Sequence, residues 1–179
     1  MSAHAIIVAE LSARPDVAAA RAAEVADWLL DRGIIELNRQ RDTLRRPSEY
    51  NAGPFVSHVA PGFQLAASLA DNGVDVIPER QVHHAGGNYR EPECPGCGTA
   101  LNTRRHMELI DLWLAGTEPA VACNQCGIRN LAGDWRGDFG VHVANLVVQF
   151  NNWPPLTDRF VGELRERLGP RPRLIYRHI

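Results

Sequence analysis

The sequence predicts an α+β fold, a small sheet with helices packed on it and a zinc ribbon inserted into it. Three observations carry this expectation. Strand-like and helix-like segments follow one another as β-α-(irregular)-β, and again as β-α-β at the C-terminal end. All four cysteines of the 179-residue chain fall between these halves, in two Cys-x-x-Cys-Gly knuckles. Hydrophobic residues make up 45% of the chain, enough for a core, while no apolar run approaches the roughly 20 residues that span a bilayer.

Ala5 to Leu11 reads as a buried strand. Pro15 suits the first turn of a helix, and Asp16 sits near its positive end. Ala18, Ala22, Val25 and Leu29 then share one face, and Gly33 is a stop, so the spacing predicts a helix over Asp16–Arg32. Residues 38–62 hold four arginines and three prolines and read as a long loop with short extended pieces. A short helix is expected over Phe63–Ala70, a turn at Asn72-Gly73 and a strand over Val74–Ile77. His83–Asn88 reads as a hinge into the metal module.

The module contains a helix-like segment, Arg104–Leu114, between its knuckles. A turn-rich loop with Trp135 and Phe139 follows, two aromatics suited to docking the module on the body. From His142 to Phe150 the chain alternates as one strand, with His142, Ala144, Leu146, Val148 and Phe150 on one face. Thr157 caps a helix bearing Phe160, Val161, Leu164 and Leu168, Gly169-Pro170 ends it, and Arg173–His178 makes a last strand. The order is compatible with a split-βαβ, ferredoxin-like sandwich, although other α+β sheets fit it too. Residues 1–90 and 131–179 form the expected body, and 91–130 the inserted ribbon.

The knuckles are Cys94-Pro95-Gly96-Cys97-Gly98 and Cys123-Asn124-Gln125-Cys126-Gly127, with 25 residues between Cys97 and Cys123. A thiolate pair two residues apart grips one ion from a tight turn, and two such pairs complete a tetrahedron. The glycine after each second cysteine lets the chain turn back, aiming backbone N–H groups at the sulfurs. Four soft thiolates favour one structural Zn²⁺ at Cys94, Cys97, Cys123 and Cys126. Iron in a rubredoxin-like site takes the same ligands, and either pair alone is a redox dithiol motif, but two matched knuckles point to shared coordination. His106-Met107-Glu108 followed by Cys123-x-x-Cys126 resembles the zinc-deaminase pattern. Here Ala122 replaces the proline of that pattern and Cys94 and Cys97 would be idle, so His106 and Glu108 read as a solvated helix face.

Composition removes several function classes. All 19 cationic residues are arginine, so there is no Walker lysine, no Schiff-base lysine and no Ser–Lys dyad. G-x-S-x-G, H-E-x-x-H and G-x-G-x-x-G are also missing. The formal charge is -2; four thiolates and a dication bring the loaded protein to about -4, against a general grip on nucleic acid. Met1–Glu10 has neither a basic segment nor a long apolar one, so a cytoplasmic location without membrane association is expected. Reducing conditions there keep thiols free for metal.

Other candidates are weaker. His83 and His84 are adjacent, and on an extended chain they point opposite ways, so a linker is the expectation rather than a ligand pair. Arg39, Arg41, Arg45 and Arg46 are a candidate nucleic-acid contact, diluted by Glu36, Asp42 and Glu49. Asn145, Gln149, Asn151, Asn152 and Trp153, around the end of a strand closed by Pro154-Pro155, are a candidate ligand or partner surface. The competing reading is structural: asparagines satisfy turn backbone, and the tryptophan packs.

The two knuckles, Asn145-Leu146-x-x-x-Phe150-Asn151-Asn152-Trp153, the N-terminal strand and a helix ending near Trp28-Leu29-Leu30 together resemble a family of uncharacterised bacterial proteins that carry a zinc ribbon. The resemblance covers most of the chain, loosely between 38 and 90. Some members bear the label of a sugar ABC transporter ATPase, which a chain with neither P-loop nor lysine does not support. The resemblance implies an architecture and transfers no activity. The chain therefore reads as a zinc protein that works by binding a protein or a small molecule. Its alternatives are an enzyme with a small-molecule site where ribbon meets sheet, and nucleic-acid binding through Arg39–Arg46.

Overall fold

The N-terminal strand, β1 (His4–Glu10), is buried on both faces. Ile6 and Val8 enter one hydrophobic cluster, while Ala5, Ile7 and Ala9 enter a second one on the opposite side. The structure, a computed structural model that describes residues 4–41 and 47–178, is organised around this two-sided strand.

Helix α1 (Pro15–Asp31) begins at a proline and buries Ala18, Ala22, Val25, Ala26 and Leu29. Gly33, at φ 61°, ends it by donating to Leu30 O at 2.8 Å. β2 (Ile35–Leu37) and β3 (Tyr50–Ala52) are the short extended pieces of the irregular region. α2 (Phe63–Ala66) is one turn, and β4 (Gly73–Ile77) follows it. The predicted hinge at 83–88 is in part a strand: β5 (Gln81–His84) carries both histidines, because it pairs with a later strand that sequence order does not reveal.

α3 (Thr103–Ala115) is capped by Asn102, whose side chain accepts from the N–H groups of Arg104 at 3.0 Å and Arg105 at 3.4 Å. β6 (Ala120–Ala122) and β7 (Arg129–Leu131) form a hairpin around the second knuckle. The expected single strand from His142 to Phe150 is two, β8 (Val141–Ala144) and β9 (Leu146–Asn151), in different sheets. Asn145 marks the break; its Nδ2 donates to Ala13 O at 2.7 Å, which holds the chain as it leaves one sheet for the other. α4 (Asp158–Leu168) is capped by Thr157 and buries Phe160, Leu164 and Leu168, and β10 (Pro172–His178) completes the chain.

The main sheet has the order β10-β1-β9-β4-β3-β2, antiparallel throughout. Its first four strands, with α1 and α4, are a split βαβ arrangement: β1-α1-β4 and β9-α4-β10 interleave so that each unit's strands are separated by one from the other. Both helices contribute to one cluster with Val74, Val76, Leu146, Val148, Phe150 and Leu174. The insertion between β4 and β9 covers the other face. There Ile7, Val147 and Ile175 meet α3's Leu109, Ile110 and Trp113, together with Trp135. β5 and β8 pair with each other and form the stem from which the cysteine-bearing segment projects.

Candidate metal centre

The two cysteine turns have the same backbone. In each, the glycine N–H donates to the first cysteine's carbonyl, Gly98 to Cys94 and Gly127 to Cys123, both at 2.9 Å. The first cysteine's N–H donates to the carbonyl five residues on, of Thr99 and Ile128, again at 2.9 Å. The glycines stand at φ 74° and 73°. A Cβ on either would meet nothing within 4 Å, so the backbone angle rather than crowding calls for glycine.

All four Sγ atoms lie within 4.8 Å of one another. Two close approaches run across the knuckles: Cys94 to Cys126 at 3.7 Å and Cys97 to Cys123 at 3.6 Å. A tetrahedral ion with metal–sulfur bonds of about 2.3 Å has S–S edges of about 3.8 Å. The cluster therefore has the size and the donor set to hold a metal ion. Cys94 and Cys123 are buried in the cluster beneath the sheet, while Cys97 and Cys126 face outward.

Their electrostatics fit a cation. The Thr99 hydroxyl, 3.2 Å from Cys97 Sγ, and the Thr99 N–H hold the Cys97 thiol down to about 6. Burial pushes Cys94 up, but N–H groups of Gly96 and Cys97 and the neighbouring thiols outweigh it and the net shift is downward. Cys126 receives the Ile128 N–H, yet burial and the three other sulfurs push it up to about 12. Four thiolates this close repel one another, and a bound dication removes that conflict.

An arginine clasp ties the inserted segment to the body. Arg171 binds Glu118 through Nη1 at 2.8 Å and Nη2 at 3.1 Å, and Asp134 through Nη2 at 2.8 Å. Its backbone N–H donates to Glu10 Oε2 at 3.0 Å. Glu118 also accepts from Gly133 N at 2.7 Å, and Arg173 reaches Asp134 at 3.1 Å. Sequence reading missed this network, since nothing in local spacing links positions 10, 118, 134 and 171.

The H-x-E triplet is divided. His106 is buried against Tyr89, 3.0 Å from its hydroxyl, rather than solvated, and is not among the clustered ligands. Glu108 lies on the outer face of α3 with Arg104 and Arg105. His83 and His84 do point opposite ways, inward and outward. His83 stands opposite His142 on the β5–β8 pair, and ring nitrogens of both are buried without partners among the described residues. Trp135 is buried where the segment meets the sheet, and Phe139 packs against the same cluster.

Gln149, Asn151 and Asn152 line one cavity of about 240 Å³ at the end of the sheet, apart from residues 91–130. Asn145 is elsewhere, bound to Ala13, and Trp153 is fully buried against Phe63 and Phe150, with ring centroids at 5.0 and 5.1 Å. Arg41 donates to Pro47 O at 2.7 Å, and Arg39 lines a surface groove with Glu36. Arg45 and Arg46 lie outside the described residues.

No family model, curated protein or solved structure matches the chain. Among the described residues, no helix is long and apolar enough to cross a membrane.

Proposed function

We propose that Cys94, Cys97, Cys123 and Cys126 bind one Zn²⁺ as a structural ion, and that the protein works by binding rather than by chemistry at the metal. The observation that supports this is the closed, all-sulfur donor set, half of it seated in the core beneath the sheet. Such a site leaves no open position for substrate. The ion would fasten the 91–130 segment as a ribbon over the sheet, so that part of its binding free energy is folding free energy. The segment turns Leu112, Leu114 and Ile128 outward, apolar side chains suited to contact with a partner.

Metal analysis of the purified chain tests the assignment. One zinc per chain is expected, lost in Cys94→Ser with a lower thermal midpoint. Iron in its place, or one tightly held zinc in Cys94→Ser, would overturn it.

A further inference from the structure

The cavity at the end of the sheet has an unusual charge arrangement. It is lined by His4, Asp71, Gln149, Asn151, Asn152 and Arg177, with Pro47 beside them. Arg177, Ala5 and Asn151 lie in one cross-strand row, which points to the face that the insertion covers. Arg177 makes no ion pair or hydrogen bond among the described residues, and its Nε is buried. Arg32, Arg171 and Arg173, also partly buried, each hold a carboxylate. A guanidinium partly withdrawn from water, with no counter-charge at hand, would be stabilised by an anion in the cavity beside it.

The remaining polar groups can be oriented by elimination. The Asp75 carboxylate only accepts, so Asn151 Nδ2 donates to it at 2.8 Å and to Ser48 Oγ at 3.1 Å. Asn151 Oδ1 then accepts from Gln149 Nε2 at 2.7 Å, which leaves Gln149 Oε1 as an acceptor without a partner among the described residues. His4 Nε2 lies 2.8 Å from Trp153 O; a carbonyl accepts, so Nε2 carries a proton, and in the neutral ring Nδ1 is an acceptor. Asp71 adds a carboxylate that has no partner among the described residues and lies more than an ion-pair distance from Arg177. Asp71 and Asn152 are the two non-glycine residues with positive φ among the described residues, at 58° and 54°. Asn152 fixes the rim, accepting from His4 N at 3.0 Å and donating to Ala70 O at 2.8 Å.

One cation and, beside it, a carboxylate with neutral acceptors match a ligand bearing both charges. We propose that this cavity binds a small zwitterion, its carboxylate on Arg177 and its ammonium among Asp71, Gln149 Oε1 and His4 Nδ1. The volume suits a short amino acid. Asp71 disfavours a dianion such as phosphate. No lining residue belongs to the cysteine segment, so the site stands or falls independently of the zinc assignment.

The test is an NMR titration of the full, zinc-loaded, isotope-labelled chain. The probes, added separately, are glycine, γ-aminobutyrate, acetate, methylamine and inorganic phosphate. At least one zwitterion should shift the amides of Asp71, Gln149, Asn152 and Arg177. It should bind about tenfold or more tightly than acetate or methylamine, each of which lacks one charge-assisted contact. Arg177→Met and Asp71→Asn should each weaken it by about tenfold or more, the asparagine keeping the positive-φ turn. Without ligand, Arg177→Met should raise the thermal midpoint. Acetate binding as well as the zwitterions, phosphate binding best, no shift with any probe, or full binding in Arg177→Met would each overturn the proposal.

Discussion

Cys94 Sγ lies 3.7 Å from Cys126 Sγ, a contact between the knuckles rather than within either one. The cluster thus ties residue 94, at the entry to the inserted segment, to residue 126 in its distal hairpin. Because Cys94 and Cys123 are buried and Cys97 and Cys126 exposed, the four are not equivalent. Serine at 94 or 123 places a hydroxyl in an apolar cluster as well as removing a ligand. These variants should unfold at lower denaturant than Cys97→Ser or Cys126→Ser, by about 1–3 kcal/mol. Equal midpoints for the four variants would argue that metal loss alone decides.

Removing the Arg171 clasp should loosen the insertion from the body. The Arg171 side chain is 24% exposed and that of Glu118 11%, so the pair is screened only in part. Arg171→Leu leaves Glu118 and Asp134 without their shared cation and should cost about 2–3 kcal/mol, somewhat below a fully buried pair. The double variant Arg171→Leu/Glu118→Leu should recover part of this, measurable as a coupling in a double-mutant cycle.

Burial, with Arg177 beside it, lowers His83 from 6.5 to about 4, and burial with Arg173 lowers His142 to about 3. Both folded values lie below the unfolded value. Their contribution is therefore fully present above about pH 6.5 and is lost as pH falls toward the folded values, because the unfolded chain takes up protons first. Each histidine steepens the stability slope by about 1.4 kcal/mol per pH unit inside its window. His142→Leu should flatten urea-measured stability between pH 6 and 4 relative to the parent. An unchanged slope would show that acid acts elsewhere, as through metal release.

Trp153 belongs to the core, with no exposed surface. Trp153→Ala should cost about 3–5 kcal/mol, while Trp153→Phe, which retains much of the packing against Phe63 and Phe150, should cost less. In Trp153→Phe, zwitterion binding should stay near the parent value, since Trp153 does not line the cavity.

Local chemistry made much of this legible in advance. Helix α1 follows from Pro15 and the Ala18–Ala22–Val25–Leu29 stripe, and α4 from Thr157 and its apolar face, because caps and periodicity act within a few residues. The cysteine knuckles were legible for the same reason. The split at Asn145 was not: alternation continues through it on paper, and only the pairing of β8 with β5 reveals two strands. His106 was misread because a residue on a charged helix is buried by what the helix docks against.

The sequence by itself determined the α+β class, the order of the elements and the four-sulfur donor set, since each depends on residues near one another in the chain. Tertiary structure alone decided which residues across long separations meet. It set Arg171 against Glu10, Glu118 and Asp134, aligned His83 with His142, and brought Arg177 and Asp71 to the wall of one cavity. Charge and burial at those positions depend on distance in space, which local patterns of 2 or 3.6 residues do not encode.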